Sequence, residues 1–366
     1  MSVLLLGAAH IKVLFFLVDK SVLDQFFYFQ ALVLFAGTIP AVAMELVFQH
    51  FVPKSRKEES RALLGMGLIL FSLFYAAMGL LIALLEPRTS TFIVFFLPFT
   101  GLSLLVSYSR AARRFHLANA MYLTSLALIV LGLLITHPRS PTGVGMVYGI
   151  ASSIPFLGGV LILSPLWRIS GVKSFLRYTL YSFASVLTSP IMRYWDRIIL
   201  ERISPGDVAG LTLIRRIDWF FRQILSSFMI WLIPRMSRGG NRAAKVVFPS
   251  YLLLSTGLFV MEVLAGKWII ELFSTSRYVK YYPLLIIFAT AFLISSIYSF
   301  RMTLMRLSGK IDRFLLHNYI FSATFIAATL LFSGFSAKGI ALSFLVATIT
   351  GGSYIVISDI LEKRPR

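Results

Sequence analysis

Three arginines and one aspartate fall within eight residues of an otherwise apolar stretch: Arg215, Arg216, Asp218 and Arg222, in LTLIRRIDWFFRQILSSFMIWLIP. Arginine presents a planar fork of N–H donors that matches phosphate and carboxylate oxygens. A carboxylate four residues from an arginine can pair with it along a helix. At 100° per residue, Arg215, Asp218 and Arg222 lie within about a 60° arc, and Thr212, Trp219 and Ser226 extend the same stripe. Each charge at the centre of a lipid-facing helix costs roughly 2.5–3.5 kcal/mol, so four cost on the order of 10 kcal/mol. The stripe is therefore expected to face a wet, protein-lined space. Its excess positive charge suits an anionic ligand. The bland alternative is a structural Asp218–Arg222 ion pair with Arg215 and Arg216 at the interface.

The elements that position this cluster are apolar helices. The chain has 366 residues, 58% of them hydrophobic and 14% charged, against about a quarter charged in a soluble domain. The apolar runs are continuous and not alternating, which favours an all-α polytopic membrane protein over a β-barrel. Twelve spans are expected: 3–18, 26–51, 62–85, 91–108, 117–136, 143–166, 175–192, 208–234, 246–266, 281–300, 315–332 and 339–358. The first, MSVLLLGAAHIKVLFFLV, lacks a basic leader region and reads as a retained span, although a short one. With the N-terminus inside, the cytoplasmic loops and tail hold 21 of the 35 Lys and Arg residues and the outer loops ten. That bias places both termini in the cytoplasm and accounts for most of the net charge of +20 without a nucleic-acid partner. Every loop is short, so the chemistry is expected within the membrane.

The count fits two six-helix bundles, 1–166 and 167–366, of the same topology. SVLD from Ser21 and SPGD from Ser204 each place Ser-x-x-Asp before a span, as an N-cap would. Pro40, Pro98, Pro155, Pro190 and Pro234 lie inside or at the ends of spans, as hinges or as ordinary bends.

The other intramembrane charges are Lys12, Glu45 and Glu262. Lys12 either joins the cationic cavity or snorkels from a short helix. Glu45 either carries a coupled proton or sodium ion or pairs with Lys12 or a cytoplasmic arginine. Asp218 is the other ion-coupling candidate. Glu262 reads as interfacial, as do most of the five histidines. There is no cysteine, no Walker loop and no His-Glu-x-x-His, so no cofactor, metal site or enzymatic activity is expected.

Asp196-Arg197-Ile198-Ile199-Leu200 followed by Val208-Ala209-Gly210-Leu211 resembles a pattern in polysaccharide repeat-unit (O-antigen type) flippases, within the multidrug/oligosaccharidyl-lipid/polysaccharide (MOP) exporter superfamily. Thr212 stands where that pattern has Tyr. Leu232-Ile233-Pro234-Arg235-Met236-Ser237, Leu307-Ser308-Gly309-Lys310 and the GFSAKGIA run from Gly334 to Ala341 extend the resemblance over the second half. It implies two six-helix bundles around a central cavity, alternating access in the cytoplasmic membrane and a lipid-linked oligosaccharide on polyprenyl pyrophosphate as substrate. Membrane lipid, a coupling proton or sodium ion and polysaccharide assembly proteins are the implied partners. Arg215, Arg216, Asp218, Arg222 and Lys12 are then the expected substrate-binding residues, and Glu45 and Asp218 the ion-coupling ones. The competing functions are a peptidoglycan-precursor flippase, a drug or cation antiporter of the same superfamily, and a membrane-embedded polymerase.

Overall fold

The computed structural model describes residues 2–167, 175, 178–180, 182–183, 186–307 and 311–362, with backbone alone in 230–245 and at several positions beside the gaps and ends. The described residues form helices joined by short turns. Among the described residues eight helices are long and apolar enough to cross a membrane, matching expected spans two to six, nine, ten and twelve. Spans one and eleven appear as the shorter apolar stretches Leu5–Leu17 and Leu315–Leu331. Part of span seven lies outside the described residues, and span eight carries the charge cluster. The chain is a multi-pass, all-α membrane protein.

By contacts the chain groups into two compact units, Met1–Ile199 and Leu200–Arg366. The division at 166/167 is a topological reading of the span count, and residues 168–174 beside it lie outside the described residues.

The first unit contains α1 (Ser2–Leu17), α2 (Lys20–Phe51), α3 (Lys57–Leu85), α4 (Ser90–Ala111), α5 (Phe115–Thr136) and α6 (Pro141–Leu163). α4 packs on α6 and α2, α5 on α6 and α1, and α2 on α3. α2 is the inner helix, and its aromatic residues make the core. Phe26 lies 5.3 Å from Tyr148, and Phe29 lies 4.9 Å from Phe92, between ring centroids. α4 and α6 approach closely because Gly149 has no side chain; a Cβ there would stand 3.0 Å from the Phe95 carbonyl oxygen. α6 starts where Ser140 Oγ accepts the Gly143 N–H at 3.0 Å and Pro141 takes the first helical position. Leu131, Ile135, Ile150 and Leu161 are exposed on α5 and α6, as a surface solvated by lipid requires.

α7 (Thr188–Ile203) runs across the division. The second unit contains α8 (Val208–Phe273), α9 (Tyr282–Leu307), α10 (Ile311–Leu331) and α11 (Ser336–Glu362). α8 doubles back. The Phe220 and Phe273 rings are 5.6 Å apart, whereas a straight helix at 1.5 Å per residue would hold them roughly 80 Å apart. The reversal falls between Arg222 and Tyr251, which lie within electrostatic range of each other, and makes two arms, the expected spans eight and nine. α9 packs on α8 and α11, and α10 packs on α11. Gly351 and Gly352 lie under His317 and Tyr298, consistent with close helix packing.

The structure corrects the two Ser-x-x-Asp caps. Neither α2 nor α8 has a side-chain N-cap bond. Ser21 is already inside α2, and Asp24 pairs with Lys20 at 3.1 Å. Ser204 Oγ donates to Asp207 Oδ2 at 2.7 Å, while the Tyr281 hydroxyl donates to Asp207 Oδ1 at 2.6 Å. The aspartate is thus consumed by a clamp that ties the start of α8 to the turn before α9. Gly210 makes room for it: a Cβ there would stand 2.2 Å from Tyr281 Cζ. Gly210→Val is expected to displace the ring and lower stability in detergent by about 1–3 kcal/mol. Tyr281→Phe keeps the ring and should cost less. Thermal unfolding of both purified variants checks the order.

Candidate functional site

The first arm of α8 opens with Val208, Ala209, Leu211, Leu213 and Ile214, all fully buried. This apolar stem anchors the helix. Its next two turns carry the charges.

Asp218 is buried, and its Oδ2 accepts from Arg222 Nε at 2.8 Å. Arg222 Nη1 donates to Ser295 Oγ on α9 at 2.7 Å. The Arg222 guanidinium also lies 5.3 Å from the Phe292 ring centroid and 6.0 Å from that of Phe344. Arg215 sits 4.4 Å from the Phe344 centroid and 5.2 Å from that of Phe288. Two arginines on one face of α8, two turns apart, therefore share an aromatic floor supplied by α9 and α11. A cation over a ring face gains about 0.5–2 kcal/mol.

The stripe needs correction at its edges. Thr212 and Asp218 are buried, whereas Trp219 and Ser226 are exposed. The 60° arc lies across the rim of the packed interface: Asp218 is on the packed side, Trp219 on the open side, and Arg222 between them with 26% of its side chain accessible. Arg216 is half-buried, as is Arg215.

Glu262 is a residue that sequence reasoning misplaced. It reads as interfacial, yet it is fully buried, and neither carboxyl oxygen has a hydrogen-bond partner. It lies within electrostatic range of both Asp218 and Arg222. Asp218 Oδ1, Arg222 Nη2 and Thr212 Oγ1 are likewise buried without hydrogen-bond partners. Unsatisfied buried polar atoms are costly and mark strained or functional places. The signal for Glu262 was available in spacing. Tyr251, Ser255, Leu258, Glu262, Ile269 and Phe273 are all buried on the second arm, at helical-seam intervals of three, four and seven residues.

The two expected residues of the first unit occupy different settings. Lys12 is half-buried on α1. Glu45 is half-buried on α2, and its Oε1 accepts from Gln49 Nε2 at 3.1 Å. Among the described residues Glu45 pairs with neither Lys12 nor an arginine; the glutamine one turn on supplies its donor. The interfacial reading of the histidines also fails at His10, which is buried mid-helix and hydrogen-bonded to the Tyr148 hydroxyl at 2.5 Å, and at the buried His317. Among the described residues no cluster of three or more His, Asp or Glu could hold a metal ion.

No family model and no curated protein matches the chain in sequence. Solved structures do match in fold. The lipid II flippase MurJ, in an inward closed conformation, superposes with a TM-score of 0.81 over 98% of this chain and 86% of MurJ, at 17% identity. The chain has the fold shared by MurJ and the MATE transporters. A point mutant of the Vibrio cholerae MATE transporter VcmN superposes with a TM-score of 0.66 at 16% identity, over 99% of this chain and 92% of VcmN. The MATE multidrug transporter DinF-BH, in a ligand complex, gives 0.64 at 13% identity, over 99% and 92% of the two chains. These identities establish the architecture. What it carries must be argued from the residues.

Proposed function

We propose that the chain is a MOP-type flippase that moves a polyprenyl pyrophosphate–linked oligosaccharide across the cytoplasmic membrane by alternating access, for surface polysaccharide. The observation that carries this reading is the arginine pair Arg215 and Arg222 on one aromatic floor, on an arm with three arginines against one aspartate. Arg215 and Arg216 would take pyrophosphate or acidic-sugar oxygens, joined by Arg222 through Nη2, which is buried without a hydrogen-bond partner in this conformation. Asp218 would hold Arg222 in register, and Lys12 would be the substrate-facing cation of the N-terminal half. The two halves would be the six-helix sets 1–166 and 167–366, with both termini cytoplasmic. Asp218 and Glu45 are the proposed ion-coupling carboxylates, for a proton or sodium ion. The MurJ fold, found in a lipid flippase, supports a lipid substrate.

A drug or cation antiporter is the second reading. It is favoured by the MATE fold and by the buried Asp218–Glu262 pair. The test is flipping of a polyprenyl pyrophosphate–linked oligosaccharide in proteoliposomes. Native protein should move it, and Arg215→Gln should slow it by about tenfold, as expected for loss of one charge-assisted contact worth roughly 1.5 kcal/mol. Transport of a cationic dye with no movement of the glycolipid would favour the antiporter.

A further inference from the structure

The first unit carries a second cationic feature, far in sequence from the α8 arginines. The end of α2, the start of α3 and the ends of α4 and α6 converge on a cleft of about 190 Å³. Lys57, Arg61 and Arg114 line it, and no carboxylate does. Arg61 is pinned through Nε, which donates to the Ser164 carbonyl at 2.6 Å; its terminal nitrogens stay available to a ligand. Below them, Ser60 Oγ and the Tyr108 hydroxyl are buried and 2.8 Å apart. Two hydroxyls bring two hydrogens, and their mutual bond uses one. The other can be donated to a ligand oxygen. The N-terminus of the adjoining α3 is already served by its own carboxylates, Glu59 Oε2 accepting the Arg56 N–H at 3.1 Å and Glu58 beside it. Three cations and a neutral donor around one small volume suit a phosphate group.

Its depth identifies the source. The Leu166 N–H donates to the Arg61 carbonyl at 3.0 Å and holds the chain after α6 against α3. The next residue, Trp167, is exposed, as are Leu161 and Ile162 in the last turn of α6. An exposed tryptophan beyond an exposed apolar turn marks the headgroup level of a bilayer. We propose that this cleft binds the phosphate of an anionic lipid headgroup from the surrounding leaflet, with its acyl chains running along Leu161 and Ile162. Basic pockets between membrane helices recognise headgroups in this way.

The experiment is native mass spectrometry of the full-length protein in detergent, titrated with phosphatidylglycerol or phosphatidylcholine. The native protein should retain phosphatidylglycerol in preference to phosphatidylcholine. Lys57→Gln with Arg114→Gln, both exposed positions, should weaken that retention about tenfold or more. Lys54→Gln with Arg110→Gln removes the same charge from exposed positions outside the cleft and should leave it within about twofold. Equal losses in the two double variants would assign the effect to diffuse surface charge and overturn the site. So would equal retention of both lipids. Stabilisation by inorganic phosphate without any lipid preference would place a soluble phosphate there and overturn the lipid assignment.

Discussion

Arg222→Ala is expected to destabilise the protein in detergent by roughly 3–5 kcal/mol, the cost of leaving a buried charge without its partner. Asp218 has only 3% of its side chain accessible, and Arg222 Nε is its hydrogen-bond donor. Ser295 also loses the donor that reaches it from Arg222 Nη1. An alanine scan of this arm would therefore confuse folding with transport. The double change Asp218→Asn with Arg222→Gln removes both charges, leaves two amides able to hydrogen-bond and gives up only part of the arginine's volume. It should recover most of the stability, because replacing a whole buried pair is far milder than breaking it. Thermal unfolding separates the cases. If the pair serves only as a strut, the double variant regains flipping along with stability. If Arg222 also holds substrate, or Asp218 carries the coupling ion, stability returns and flipping does not.

Glu262→Met should act in the opposite sense. Both carboxyl oxygens of Glu262 are buried without a hydrogen-bond partner, beside a second carboxylate. A methionine of similar length removes that cost, so the variant should gain about 1–3 kcal/mol of stability. Thermal unfolding of the purified variant checks the sign. A less stable variant would show that the carboxylate contributes to folding.

The apolar helices were legible because a bilayer demands long runs with few charges, and that demand survives in composition alone. The Asp218–Arg222 bond was legible for a similar reason, since partners four apart on one helix meet whatever the rest of the fold does. The contacts that were not legible come from elsewhere in the chain. Arg215 and Arg222 meet Phe288, Phe292 and Phe344 because α9 and α11 pack there. Glu262 comes near Asp218 because α8 reverses between its arms. Ser204 and Asp207 imitate a cap in sequence, but Tyr281, 74 residues beyond the aspartate, claims it. Glu45 found its donor one turn away, so a plausible charge partner lost to a nearer amide. Where the arginines sit is a matter of folding, and what they hold is a matter of transport; the paired Asp218 and Arg222 changes separate the two.

The most direct measurement is mass spectrometry of the lipid extract from a strain lacking this protein, alongside staining of its surface glycan. A complete lipid-linked repeat unit should accumulate while the surface glycan disappears, and the native gene should reverse both. Unpolymerised glycan displayed on the outer surface, or unchanged lipids with altered tolerance to cationic drugs, would contradict the flippase assignment.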